Sequence, residues 1–233
     1  MKNYLIIGGS AGIGAALVQQ LLDAGHQVYA AQRQAPALSH PHVHHLPLDV
    51  LQGQWDVSAL PATLDGFVYM PGSINLKPFK NLKAEAFLAD WQLNFGAMIP
   101  LLQQVMPMLL AASKPSVVLM SSVAVGTGMP FHSSIAAAKG AIEGFTRALA
   151  AEYAPQLRVN AVAPSLTATP LADKFLNSPD KLERAAQRHP LKQVGDPNDV
   201  AALVAYLLSD QSRWITGQVW GIDGGMGRLQ SGA

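Results

Sequence analysis

The chain has 233 residues, 49% hydrophobic and 13% charged, and contains no cysteine. That balance suits a sheet buried on both faces and excludes a disordered protein. The missing cysteines exclude disulfides, thiolate catalysis and thiolate-bound metal and are compatible with a reducing compartment, the cytoplasm being the default expectation. With 16 basic and 15 acidic residues the net charge is +1, and no run of Lys or Arg offers a nucleic acid a footing.

Short apolar runs alternate with longer helical patterns, which predicts βαβ units around a mostly parallel sheet. Strands are expected near Tyr4–Ile7, Gln27–Ala31, Val43–Leu46, Phe67–Met70, Val117–Met120, Arg158–Val162 and Val219–Ile222. The first run is too short for the core of a signal peptide. A first helix starting near Gly12 buries Ile13, Leu17, Leu21 and Ala24 and stops at Gly25. Between Leu51 and Leu64, Gly53 and Pro61 predict a short or irregular crossover.

The apolar stretch Phe95–Ala112 is interrupted by Pro100, Gln103, Gln104 and Pro107, so no membrane span is expected. A long helix over about Ile135–Tyr153 carries small residues at Ala136, Gly140 and Gly144, which permit close packing within the chain or against another subunit. Thr167–Asp180 reads as a polar loop able to act as a mobile lid. Asp196-Pro197-Asn198-Asp199 signals a helix start, with Val200, Leu203, Val204 and Leu207 on its apolar face. A single domain over residues 1–233 accommodates these elements without a linker.

Gly8-Gly9-Ser10-Ala11-Gly12-Ile13-Gly14 follows a strand and opens a helix. In that setting glycines let the backbone approach a pyrophosphate while helix amides point at its charge. The second strand ends in Gln32-Arg33 where an acid would bind the free ribose of NAD. A neutral amide followed by a guanidinium favours the 2′-phosphate of NADP over NAD. The cluster His40-Pro41-His42-Val43-His44-His45 reads as a solvated edge and not a metal site, because Pro41 disrupts the ladder and no carboxylate stands at ligand spacing.

The glycine loop, Ser121-Ser122, Lys139-Gly140, Ile215-Thr216-Gly217-Gln218 and Asp223-Gly224-Gly225 together resemble the short-chain dehydrogenase/reductase family over nearly the whole chain. The resemblance implies a Rossmann-type doubly wound α/β fold with seven strands, a small carbonyl or alcohol substrate, and a homodimer or homotetramer. It implies cofactor contacts at Gly8, Ser10, Gly12, Ile13, Gly14, Arg33, Asp49, Val50, Pro71, Gly72, Lys139, Pro164 and Thr169. Asp49 has a turn reading as well, but the small apolar Val50 after it favours the cofactor contact, and Ser165 stands where the family has glycine. Ile7 and Met70 replace polar residues that tie family strands together, which predicts a repacked, apolar sheet centre.

The same resemblance implies that Asn94, Ser122 and Lys139 form the catalytic set. Its fourth member, a tyrosine four residues before Lys139, is here Ile135, which has no proton to give. A proton must then come from Lys139, from water held by Asn94, or from the substrate. His132 is the leading side-chain replacement on intrinsic pKa, and Ser133 and Ser134 offer hydroxyls for a substrate oxygen. Two other readings stay open: an inactive NADP-binding sensor or partner subunit, and a structural subunit of a mixed oligomer.

Overall fold

The alternation of apolar side chains along each strand sorts the core into two layers, and the computed structural model shows both filled. It describes residues 1–35, 40–52 and 55–230; Gly53 lies outside the described residues. The strands are β1 (Asn3–Ile7), β2 (Gln27–Gln32), β3 (Val43–Pro47), β4 (Gly66–Tyr69), β5 (Ser116–Met120), β6 (Arg158–Pro164) and β7 (Val219–Ile222). They form one sheet in the order β3-β2-β1-β4-β5-β6-β7, and every neighbouring pair is parallel. The order reverses between β1 and β4, so the carboxyl ends of those two strands flank a crevice.

The helices are α1 (Gly12–Asp23), α2 (Ala84–Trp91), α3 (Met98–Leu110), α4 (Val123–Gly126), α5 (Ser133–Tyr153), α6 (Asp173–Leu176), α7 (Pro179–Gln187) and α8 (Pro197–Leu208). Tyr4, Ile6, Val28, Val68, Val118 and Val162 meet α1 and α8 through Leu17, Leu21, Val204 and Leu207 on one face. Leu5, Ile7, Phe67, Tyr69, Val117 and Leu119 meet α3 and α5 through Met98, Leu101, Val105 and Ile142 on the other. The sheet centre is apolar as expected: Ile7 is fully buried, and its carbonyl accepts from the Met70 amide at 2.9 Å.

Several boundaries differ from the sequence reading. Ala24 is exposed, because α1 ends at Asp23 and Gly25, at φ 77°, turns the chain away from the core. Met70 lies just beyond β4. Thr167–Asp180 is not a loop throughout: a 3-10 turn (Pro170–Ala172), α6 and the start of α7 occupy most of it, and the Ser178 hydroxyl caps α7 by accepting from the Lys181 amide. Ala84–Leu110 forms one continuous helical stretch, long and apolar enough by length and composition to cross a membrane. Its α3 portion instead buries Met98, Leu101, Leu102, Val105 and Leu109 against the sheet.

Asp196 and Pro197 open α8 as their sequence predicts, with the Asp196 carboxylate accepting from the Asn198 amide at 2.7 Å. The other end of α8 is held by Arg158 from β6. Its guanidinium donates to Leu207 O at 3.0 Å, Ser209 O at 3.1 Å and Ser212 Oγ at 3.0 Å, satisfying carbonyls that a helix end leaves open. Arg158→Ala is expected to lower the unfolding free energy by ~2–3 kcal/mol. Urea denaturation checks this; an unchanged midpoint would contradict the assignment.

Candidate active site

The turn from β1 into α1 is bare backbone. A Cβ at Gly14 would lie 2.1 Å from Gly8 O, and one at Gly12, where φ is +54°, would lie 2.9 Å from Thr169 Cγ2. Glycine therefore permits the helix to start against the strand end. The residue preceding α1 is Ala11, which provides no side-chain cap. The first amides of α1 remain available to an anion.

At the end of β2, Gln32 is 4% exposed and neither atom of its amide has a protein partner. A buried amide without hydrogen bonds costs free energy unless a ligand or water satisfies it. It sits beside the glycine turn, with Gln32 Oε1 3.3 Å from where a Cβ on Gly9 would stand. Arg33, the next residue, is exposed. These donors and acceptors fit an adenosine ribose and its phosphates. Asp49 forms a turn, its carboxylate accepting from the Leu51 amide at 3.1 Å, while Val50 packs partly on the core. The Pro71 ring closes on Gly8, and Ser10 is exposed at the loop tip.

A cavity of about 630 Å³ extends from this turn across the strand ends. Gly8, Gly12, Ile13, Gly14, Gly72, Ser122, Ile135, Lys139, Pro164 and Thr169 line it. Ser10, Arg33, Asp49, Val50, Pro71 and Asn94 stand outside its wall. Lys139 is buried and donates to Met120 O at 2.8 Å. Burial without a carboxylate beside it lowers its pKa from 10.5 to about 8. Ser122 accepts from the Ala124 amide at 3.2 Å, which leaves its own proton for a substrate oxygen. Ile135 is 6% exposed and lies one turn before Lys139 on the same cavity-facing side of α5.

Asn94 is held just behind the wall. A single π-helical turn, Gln92–Gly96, interrupts the helical stretch between α2 and α3, and Asn94 is fully buried there. Its amide nitrogen donates to Asp90 O at 2.8 Å and Ser73 Oγ at 2.9 Å. Its oxygen lies 2.9 Å from where a Cβ on Gly72 would stand, and Lys139 Nζ lies 3.4 Å from that same point. Thus Gly72 leaves the space in which Asn94 and Lys139 face each other.

Asp90, absent from the sequence reading, joins this group. Its carboxylate accepts from Ser73 Oγ and Ser134 Oγ, each at 2.6 Å, and from Asn75 Nδ2 at 3.4 Å. Ser134 is therefore a structural donor to Asp90 and not a substrate ligand, as its 1% exposure confirms. His132 does line the cavity, with Nδ1 2.7 Å from Pro130 O. Because a carbonyl only accepts, Nδ1 carries the proton and Nε2 is the free nitrogen. The histidines near β3 lie on the edge strand: His44 Nε2 meets Gln27 Oε1 at 2.7 Å, and His45 Nε2 meets Gln32 O at 3.1 Å.

The switch point, the open helix terminus and the lined cavity define a ligand-binding α/β protein of the doubly wound class. Residues 8–227 match the sequence profile described as enoyl-(acyl carrier protein) reductase. A tropinone reductase homolog of Datura stramonium is 33% identical over 241 residues, covering 95% of this chain and 90% of the relative. The structure of a short chain dehydrogenase family protein from Francisella tularensis superposes with a TM-score of 0.89 at 28% identity, covering 97% of this chain and 98% of that one. One described as ElxO with NADP bound gives 0.88 at 26% identity, covering 97% and 99%. The chain belongs to the short-chain dehydrogenase/reductase family, and its similar relatives are named reductases and dehydrogenases.

The Asp90 contacts make a prediction about how the site is held. Asp90→Ala strips two buried or half-buried hydroxyls of their acceptor and is expected to cost ~2–4 kcal/mol. A loss below ~1 kcal/mol in a denaturation titration would show that Asp90 does not anchor the site.

Proposed function

We propose that this chain is an NADP(H)-dependent oxidoreductase that interconverts a small carbonyl compound and its alcohol, with a proton route that does not pass through a phenol. One observation carries the reading: the uncapped, glycine-lined start of α1 and a buried lysine open onto a single cavity. A bound nicotinamide dinucleotide supplies or accepts the hydride. The first amides of α1, with Gly8, Ser10, Gly12, Ile13 and Gly14, hold its pyrophosphate. Gln32 satisfies its amide on the adenosine ribose, and the exposed Arg33 pairs with the 2′-phosphate. Asp49 and Val50 flank the adenine side, Pro71 and Gly72 line the passage between Gly8 and Lys139, Pro164 flanks the nicotinamide side, and Thr169, against Gly12, faces the phosphates or the carboxamide. The similar chain whose structure contains NADP supports this choice of dinucleotide.

Ser122 orients the substrate oxygen. Lys139 carries three donors and uses one on Met120 O, which leaves two for a ribose hydroxyl and the reacting oxygen. Its pKa of about 8 places both protonation states within reach near neutrality, so we assign it the proton that a tyrosine would otherwise carry. Asn94, beside Lys139, holds the water that reloads it. The exposed Gly144, with no atom within 4 Å of a Cβ built on it, belongs to a small-residue face that we assign to a homo-oligomer contact.

Reduction consumes a proton, so its rate is expected to be flat below pH 8 and to fall above it as Lys139 deprotonates, while alcohol oxidation rises through the same range. Lys139→Ala should lower kcat by ~10²–10⁴-fold and remove that inflection. Ile135→Tyr should raise kcat, and His132→Ala should leave it within about twofold, measured as NADPH consumption over a panel of aldehydes and ketones. Loss of activity in His132→Ala with NADPH binding intact would transfer the proton to His132. NADPH binding without turnover of any carbonyl would reject the oxidoreductase reading in favour of a cofactor sensor or partner subunit.

A further inference from the structure

The cavity has a second wall whose charge the cofactor reading leaves unexplained. Lys174 from α6 and Lys181, Arg184 and Arg188 from α7 and its end all line it, yet among the described residues no aspartate or glutamate does. The protein as a whole is nearly neutral, at +1, so this concentration is local. Helix geometry produces it. Lys181, Arg184, Ala185 and Arg188 follow the i, i+3, i+4, i+7 spacing of one helix face. The acids of the same helix, Asp180 and Glu183, fall outside the cavity wall, and Glu183 accepts from Gln187 Nε2 at 2.6 Å.

None of these cations has a carboxylate partner among the described residues, where the only ion pair is Lys2–Asp210. Lys174 and Lys181 are steadied by neutral acceptors: Lys174 Nζ donates to Ile74 O at 2.9 Å, and Lys181 Nζ to Lys174 O at 3.0 Å and Asn177 Oδ1 at 2.7 Å. The guanidinium groups of Arg184 and Arg188 make no hydrogen bond among the described residues, and both side chains are exposed at the cavity mouth. His189, buried in the same wall, is spoken for by Ala185 O and Ser165 Oγ, each at 2.9 Å. Around the charges the lining is apolar, with Leu166, Leu171, Phe175 and Met226. Low-dielectric walls strengthen the field that unpaired cations project into a cleft.

We propose that the substrate carries an oxyanionic group, a carboxylate or a phosphate, on an apolar body, and that Arg184 and Arg188 hold it while the carbonyl end reaches Ser122 and Lys139. The proposal rests on the carbonyl-reducing reading of the same cavity. Arginine forks match both oxyanions, and the unpaired pair has donors to spare for one. The apolar lining accepts the body of the molecule, so recognition is by charge at one end and by the reacting oxygen at the other.

The test compares para-formylbenzoate, para-formylphenyl phosphate and the neutral methyl ester of the first as substrates with NADPH. The wild type is expected to prefer at least one charged aldehyde over the ester by roughly tenfold or more in kcat/KM at low salt, and the preferred one identifies the oxyanion. The double variant Arg184→Gln/Arg188→Gln should bring that ratio to about one, and Arg184→Lys/Arg188→Lys should keep part of it. A wild-type ratio near one, or a ratio untouched by the glutamines, overturns the proposal. So does a double variant that weakens NADPH while preserving the ratio, because the arginines then serve the cofactor. Calorimetric binding of terephthalate and phenyl phosphate to the NADPH-loaded protein separates the two readings. Binding of either that is lost in the glutamine variant, without turnover of any aldehyde, upholds the anion site and rejects reduction; absence of binding by both rejects the anion site.

Discussion

The whole site depends on one steric constraint, the contact between the start of α1 and the end of β1. With a Cβ of Gly14 excluded at 2.1 Å from Gly8 O, the helix can approach the strand only through unsubstituted backbone. That approach sets the helix terminus over the crevice where the strand order reverses, between β1 and β4. The same crevice receives Gly72 from beyond β4, Ser122 from beyond β5 and Pro164 from the end of β6. Parallel pairing brings all these carboxyl ends to one edge of the sheet. Gly72, Ser122 and Pro164, far apart in the chain, therefore reach one cavity from the ends of their strands.

Burial then does two different kinds of work, one behind the cavity wall and one in it. For Asp90 it is matched by three donors, so the carboxylate holds Ser73, Asn75 and Ser134 together and fixes the helical stretch bearing Asn94 against α5. For Lys139 it is matched only by the Met120 carbonyl, and the uncompensated part appears as a lowered pKa. A group balanced near neutrality is poorly suited to structural pairing and well suited to exchanging a proton. Ile135, one turn before it on the same side of α5, is apolar and offers it no hydrogen bond. Gln32 presents a similar imbalance at the other end of the site, as a buried amide that protein contacts leave unsatisfied.

The strands were legible because a sheet covered on both faces writes itself as apolar runs, Tyr4–Ile7 and Val117–Met120 being clear cases. The glycine turn and Lys139 were legible as motifs, since the chemistry they serve tolerates few residue types. Thr167–Asp180 was misread because its prolines and polar residues suggest a loop. Yet Ser178-Pro179 is a cap followed by a first-turn proline, the same grammar that correctly placed α8 at Asp196-Pro197. Asp90 was hidden for a different reason: Ser73 and Ser134 lie 17 and 44 residues away from it, so only the fold reveals the cluster. The cation face of α7 was present in the spacing of Lys181, Arg184 and Arg188, but its meaning depends on which side of the helix meets the cavity.

The proposed chemistry requires that the glycine turn and Gln32-Arg33 hold a dinucleotide bearing a 2′-phosphate. Calorimetric titration of NADPH and NADH into the wild-type protein tests it most directly. Saturable binding of one NADPH per chain is expected, tighter than NADH by roughly tenfold or more. Binding of neither dinucleotide, or a preference for NADH, would contradict it.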